Sequence, residues 1–391
     1  MKRLAIILLL LSMYCCMSAQ RTHSLELKLY GGRIVPHRSG MDALAQPLYA
    51  GEMNYYFSTR SDNYYDLKYH FPKHGFGLNY NYFGNHKVIG SAFAAYSFLD
   101  FSFLDKQWFD LGLRVNAGLA YLTRKFDRET NPQNIAVCTN LCFYFNLSFN
   151  VVFKLPSDFE LKLSPGFQHY SNGAVKKPNL GLNCLFVSLA LSKDICTKDF
   201  TRELKDYQDE VSPHEAWIMG TCSTADEYSV GYEGRGGGFI CSTVATGYTY
   251  QYCKLGKVGA SFDMFYNENN KYYYFDDERG LFLLYDKFSD ILKLGISIGH
   301  QLVYRRFELI TYYGFHFYNK VWTYKRFYFR VGARYYLTDY MFINLSLKAN
   351  GFKAQFIESG IGFSCRRWGK KGEKAERLKA NFKQLQTYKR R

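Results

Sequence analysis

The chain has 391 residues, a formal net charge of +16 and a slightly negative mean hydropathy of −0.28. Aromatic side chains fill 19% of its positions, with 35 Tyr and 34 Phe, and Gly is common at 32 positions. No C-x-x-C pair supports a zinc site, and no internal segment has the length and apolarity of a transmembrane helix. These features leave β-rich proteins as the main candidates.

The N-terminus has the pattern of a secretory signal. Lys2 and Arg3 precede an apolar run from Leu4 to Met17, which is too short to span a membrane comfortably. We predict a signal peptide over residues 1–19, cut after Ala19. The mature chain would therefore leave the cytoplasm, which argues against nucleic acid as a partner of so basic a protein.

Strand-like segments with a period of two recur along the chain. From Arg326 to Leu337, polar side chains including Arg330 and Arg334 alternate with an apolar set. The apolar set is Phe327, Phe329, Val331, Ala333, Tyr335 and Leu337. Strands of a membrane barrel turn such an apolar face to lipid and the polar face to the lumen. We predict an all-β, antiparallel transmembrane β-barrel, with one or two soluble β-sandwiches as the alternative.

About sixteen strands are expected, in two sets of about eight. The first set falls in residues 20–192 and the second in residues 214–365. Between them, residues 193–213 are charged, lack a strand pattern and read as a linker. The strands would close one barrel of about 14–16 strands, or an eight-stranded barrel beside a second β unit. Residues 366–391 hold eleven Lys or Arg and two Glu, and are predicted to be a solvated basic tail on the periplasmic side.

The stretch FQHYSNGAVKKPNLGLN, from Phe167 to Asn183, combines polar side chains with a turn. Alternation along the two strands places His169, Ser171 and Asn183 on the apolar, lipid-facing rows, at the end where the strands meet the turn. Two residues apart on one strand face, the His and Ser Cα atoms lie roughly 6–7 Å apart. That spacing suits a neutral His acting as base for a Ser nucleophile. Ordinary turn chemistry accounts equally well for the Gly, Pro and Asn of this segment.

The whole pattern HYSNGAVKKPNLGLN resembles the motif of the PagL family of outer-membrane lipid A deacylases. That motif runs His-x-Ser-Asn, a short loop, Asn, Gly and then a carboxylate. The resemblance covers about residues 75–192. The segment LSLKANGFKAQFIESGIGF, from Leu345 to Phe363, is similar to the longer, acyloxyacyl-hydrolase-like members.

The resemblance implies a role for each residue of the motif. Ser171 would be the nucleophile, His169 its base, and Asn172 with Gly173 the oxyanion donors. The position of the family's acid is occupied by Asn183, which can orient a histidine but supplies no negative charge. Either Asn183 suffices, or an acid from another strand, such as Glu358, replaces it.

By the same resemblance, the protein is expected to be a carboxylic ester hydrolase of the outer membrane that removes an ester-linked acyl chain from lipid A of lipopolysaccharide. Neither a cofactor nor a metal is implied. Lys176 and Lys177, in the turn, are candidates for contacting lipid A phosphates. The oligomeric state is open, with a homodimer as one candidate.

Two rival functions come from other classes of protein. A non-enzymatic barrel, either a porin-like channel or a structural protein with a degenerate motif, is the main alternative, and luminal Arg330 and Arg334 would favour a channel. A soluble, sugar-binding β-sandwich is the weaker one.

Overall fold

The computed structural model describes residues 21–59, 64–196, 213–226, 238–274, 281–321, 326–351 and 353–365. The predicted signal peptide and the predicted basic tail lie outside these residues. So do residues 197–212 of the predicted linker, whereas residues 193–196 belong to a strand. The chain divides into two compact units, and each contains one barrel.

The first unit is a closed barrel in which each strand pairs antiparallel with the next and the last strand pairs with the first. Its strands are β1 (Arg21–Ile34), β2 (Pro47–Thr59), β3 (Lys73–Tyr82), β4 (Ser91–Asp105), β5 (Phe109–Leu122), β6 (Leu141–Leu155), β7 (Phe159–Ser171) and β8 (Leu182–Cys196). A 3-10 helix, Asp42–Leu44, lies between β1 and β2, and helix α1 (Tyr64–Lys68) lies between β2 and β3.

The second unit is also a closed antiparallel barrel, with a small hairpin inserted in one connection. Its strands are β9 (His214–Ala225), β10 (Phe239–Cys253), β11 (Gly256–Asn267), β12 (Tyr272–Tyr274), β13 (Leu281–Leu283), β14 (Lys293–Tyr304), β15 (Phe307–Asn319), β16 (Phe327–Tyr336), β17 (Met341–Asn350) and β18 (Lys353–Ser364). Strands β12 and β13 pair with each other, and β18 closes the barrel against β9. The connection also holds a 3-10 helix, Glu268–Lys271, and helix α2 (Phe288–Ile291).

Side chains alternate between interior and exterior along the barrel strands. In β16, Phe327, Phe329 and Val331 are 44–51% exposed, whereas Arg330 and Arg334 are fully buried. A continuous apolar exterior is what a strand wall needs in lipid. The predicted all-β barrel fold is thus confirmed, in the form of an eight-stranded barrel with a second β unit that is itself a closed barrel. No helix among the described residues is long and apolar enough to cross a membrane.

An ion-pair network fills the middle of the first barrel. Arg114 joins Glu26 at 2.5 Å and Asp100 at 2.8 Å, and Lys162 reaches Glu26 at 2.8 Å and Glu160 at 3.1 Å. Because these groups are withdrawn from water, each charge needs an opposite charge beside it. The network therefore acts as a packed polar core.

The second barrel has a similar network in its interior. Arg330 pairs with Glu358 at 2.6 Å and with Asp263 at 3.0 Å, and the Arg334 guanidinium stacks on the Trp217 ring at 3.9 Å. Both arginines face the interior, as the alternation predicts. They are held by carboxylates and aromatic rings rather than by open water, so they lend the channel alternative no support.

Candidate active site

His169 and Asn183 lie directly opposite each other on neighbouring strands. The β7–β8 register pairs the two residues, and both side chains point outward from the barrel. A hydrogen bond of 2.6 Å joins His169 Nδ1 to Asn183 Oδ1. An amide oxygen can only accept, so His169 Nδ1 carries the proton and its Nε2 lone pair is free to act as a base.

Ser171 is the last residue of β7 and shares the outward face of His169. Within the described part of the chain, no hydrogen bond joins the Ser171 hydroxyl to His169. Their spacing on one face leaves the imidazole and the hydroxyl within reach of each other by side-chain rotation, and such contacts often tighten only when substrate binds. The structure thus brings Ser171, His169 and Asn183 onto one patch of the outer wall.

The wall around this patch is apolar. Phe143 and Phe145 of β6 stand opposite Ser171 and His169 in the strand register, and both are more than a third exposed. Leu141 and Leu185 extend the same exposed surface. The hydrophobic surface next to the polar side chains favours the binding of an acyl chain. It gives no such advantage to a water-soluble substrate.

The connections β1–β2, β3–β4 and β5–β6 pack against the end of the barrel that carries the patch. Gly181 N–H donates to the Ala136 carbonyl at 2.9 Å, and Val35 N–H donates to the Asn183 carbonyl at 2.8 Å. Buried apolar side chains from three connections, among them Met41, Ile89 and Val137, pack into the same end of the barrel. The β7–β8 turn therefore enters β8 at a fixed position.

Gly181 has a specific reason to be glycine. Its φ of +79° is strained for other residues, and a Cβ there would stand 2.7 Å from His169 Cε1. Sequence reasoning treats this glycine as ordinary turn chemistry. In the structure the missing side chain leaves room for the His169 imidazole.

The predicted oxyanion donors lie just beyond β7. The Asn172 side chain is buried, and its Nδ2 lies 3.8 Å from Cys138 Sγ. The backbone N–H of Asn172 donates to Asn179 Oδ1 at 3.1 Å. Gly173 follows with a φ of +65°. For Asn172 to hold an oxyanion, its N–H would have to exchange Asn179 for the substrate, so this role stays a prediction.

The other predicted site residues fall in different surroundings. Lys176 is exposed and Lys177 is partly buried in the β7–β8 turn. Glu358, the candidate substitute acid, forms a buried ion pair with Arg330 inside the second barrel, so its charge is already used there. Among the described residues, no group of three or more His, Cys, Asp or Glu is arranged to hold a metal ion.

One residue of the patch has no signal in the sequence motif. His37, in the β1–β2 connection, lies 146 residues from Asn183 in the chain, yet its Nδ1 is 3.0 Å from Asn183 Nδ2. Its Nε2 lies 2.9 Å from the Leu180 carbonyl oxygen. Only closure of the barrel brings β1 beside β8, so no local pattern could have revealed this contact.

Fold and patch together define a class: a closed antiparallel barrel with a His, a Ser and an amide side chain gathered on its apolar outer wall. Two family models match the chain. The model described as lipid A 3-O-deacylase (PagL) matches residues 50–192, and the one described as acyloxyacyl hydrolase, C-terminal domain, matches residues 215–368. The chain belongs to the PagL family, and the second model covers its second barrel.

Solved structures show only distant likeness to this chain. Neisserial surface protein A is 6% identical, with 45% of this chain and 100% of that one covered at a TM-score of 0.31. A Rhodopseudomonas blastica porin triple mutant is 8% identical, covering 88% and 100% at a TM-score of 0.18. The monoaromatic hydrocarbon channel TodX, in a deletion mutant, is 10% identical, covering 88% and 89% at 0.17. Scores this low carry no argument about function. No curated protein matches the chain.

Proposed function

We propose that this protein is an outer-membrane esterase that removes an ester-linked acyl chain from lipid A, with Ser171 as nucleophile and His169 as base. The family match supports the reaction class. The observation that carries the mechanism is the 2.6 Å hydrogen bond from His169 to Asn183, because it leaves the second imidazole nitrogen free on the face that bears Ser171.

The reaction proceeds in two halves. Ser171 Oγ attacks the ester carbonyl carbon while its proton passes to His169 Nε2, and the tetrahedral intermediate places negative charge on the former carbonyl oxygen. Backbone N–H groups at Asn172 and Gly173 are the candidate donors to that oxygen. Collapse of the intermediate expels the alkoxide of the remaining lipid A, which takes the proton from His169. Water then attacks the acyl-serine by the same route and releases a fatty acid.

Asn183 has a limited role in this scheme. Its Oδ1 holds the imidazole in the tautomer that can accept a proton at Nε2. It contributes no charge to stabilise the imidazolium that forms in the transition state. The reaction therefore relies on orientation, with less electrostatic support than a carboxylate would give.

The position of the patch fits a lipid substrate. A site on the outer wall, at the end of the strands, meets an ester near the boundary between headgroup and acyl chain. A signal peptide would leave the N-terminus in the periplasm, and the β7–β8 turn of an antiparallel barrel would then be extracellular, with the patch in the outer leaflet, where lipid A resides. Lys176 and Lys177 would then face the headgroup and attract its phosphates.

The proposal is tested by replacing Ser171 with Ala. The side chain lies outside any core, so the variant should fold and insert as the parent does, which heat-modified gel mobility reports. Mass spectra of lipid A from cells expressing the parent should show species lacking one acyl chain, and these should disappear with the variant. Retention of the deacylated species in Ser171→Ala would remove the serine mechanism.

A further inference from the structure

His37 reaches the patch from the far side of Asn183. The β1–β2 connection is fastened to β8 by the Val35-to-Asn183 backbone hydrogen bond, and Pro36 restricts the chain immediately before His37. The imidazole then bridges two groups of the β7–β8 segment, with Nδ1 at 3.0 Å from Asn183 Nδ2 and Nε2 at 2.9 Å from the Leu180 oxygen.

The position of each proton in this arrangement follows from one group, the Leu180 carbonyl oxygen, which can only accept. A backbone carbonyl oxygen can only accept, so His37 Nε2 must carry the hydrogen that meets Leu180. A neutral imidazole has a single N–H, so His37 Nδ1 is an acceptor. The group that faces it must donate, and that group is therefore the NH₂ of Asn183. Its oxygen is consequently turned toward His169.

We propose that His37 is a positioning residue, which fixes the direction of the Asn183 amide and through it the tautomer of His169. This inference rests on the proposed function. If the amide turned by half a rotation, its NH₂ would face His169 Nδ1, which would then have to accept. The proton of His169 would move to Nε2, where it prevents the histidine from taking the proton of Ser171.

The need for such a residue arises because position 183 is an amide. A carboxylate has two equivalent oxygens, so either rotation presents an acceptor to the histidine. An amide has one correct orientation and one wrong orientation. With an amide at position 183, one of the two orientations must be excluded, and the hydrogen bond to His37 excludes it.

The test is a set of four proteins assayed for kcat and KM on lipid A in detergent micelles: the parent, His37→Ala, Asn183→Glu and the double variant. In the Asn183 protein, loss of His37 should lower kcat about tenfold, the effect of one orienting hydrogen bond, with KM within about twofold. In the Asn183→Glu protein, the same loss should change kcat by less than about twofold. An equal fall in both backgrounds would mean that His37 serves folding alone, and would overturn the proposal.

Two further variants complete the test. His37→Gln can donate to Leu180 and accept from Asn183, so it should retain more kcat than His37→Ala; equal loss in both would contradict the inference even if Asn183→Glu proved inactive. His86→Ala is the matched control, since His86 is an exposed histidine in the β3–β4 connection of the same barrel. Ser171→Ala separates the two levels of the argument. If it is inactive while His37→Ala keeps the parent kcat, only the His37 inference fails, and if Ser171→Ala is active the proposed function fails first.

Discussion

The two barrels neutralise their interiors in the same way and differ on their outer walls. An arginine stands between two carboxylates in each: Arg114 between Glu26 and Asp100 in the first, and Arg330 between two acids in the second. On the wall of the second barrel, His300 Nε2 lies 2.7 Å from the hydroxyl of Tyr252. On the wall of the first, His169 is bonded to an amide.

The two histidines, one proposed to be catalytic and one not, have different partners on the barrel wall. A tyrosine hydroxyl bound to His300 Nε2 occupies that nitrogen, and the aromatic pair is typical of the belt near a membrane interface. His169 uses its Nδ1 for Asn183, and among the described residues its Nε2 makes no hydrogen bond. His300 Nδ1 likewise makes no hydrogen bond among the described residues, so what distinguishes the proposed site is the serine that shares the strand face of His169.

The largest expected effect tests the comparison between His169 and His300 directly. His169→Ala should lower kcat/KM about a thousandfold or more, because the serine loses its base. His300→Ala should leave kcat/KM within about twofold of the parent. Both are measured by release of fatty acid from lipid A in micelles, at a pH well above the ordinary histidine pKa of about 6.5. Similar losses in the two variants would mean that the walls are not functionally distinct.

The interiors should respond alike. Arg114→Met leaves Asp100 without its arginine and Glu26 with Lys162 alone, and Arg330→Met removes the arginine from Asp263 and Glu358. Each change should lower the free energy of unfolding by about 3–5 kcal/mol. The matched control is Lys320→Met, which removes a 3.0 Å ion pair from a Lys that is 54% exposed and should cost about 1 kcal/mol or less. Urea titrations in micelles measure all three. A small effect at Arg330 alone would show that the second interior is not held as the first is.

Asn183 tests how far an amide can replace a carboxylate. Asn183→Ala should lower kcat about tenfold, because the imidazole loses the acceptor that fixes its tautomer. Asn183→Glu should raise kcat, because a carboxylate stabilises the imidazolium. Kinetics of the three proteins at one pH decide the matter. If Asn183→Glu is inactive and Asn183→Ala is impaired, the amide N–H is the group that the reaction needs, and the orienting role of the Asn183 oxygen must be abandoned.

The smallest effect concerns the turn that carries the two lysines. Replacing Lys176 and Lys177 together with Gln should raise KM a few-fold and leave kcat nearly unchanged, because a phosphate attraction through water is weak and acts on binding alone. Kinetics on lipid A with and without its phosphates measure the change. A fall in kcat at constant KM would exclude a headgroup role.

Much of the fold could be predicted because the signal is local. Alternation along each strand is visible in the sequence, and it correctly placed His169, Ser171 and Asn183 on outward rows. The number of barrels could not be predicted, since closure depends on which strand pairs with β1, and that pairing joins distant segments. His37 was missed for the same reason, and Gly181 because its steric role exists only once the imidazole is beside it.

The most direct test of the central claim is covalent labelling of the nucleophile. The folded protein in micelles is treated with a long-chain alkyl fluorophosphonate, which reacts with activated serines, and the labelled peptide is identified by mass spectrometry. The account predicts one adduct on Ser171, abolished in His169→Ala and retained in His300→Ala. An adduct on another serine, or none on a protein that deacylates lipid A, would contradict it.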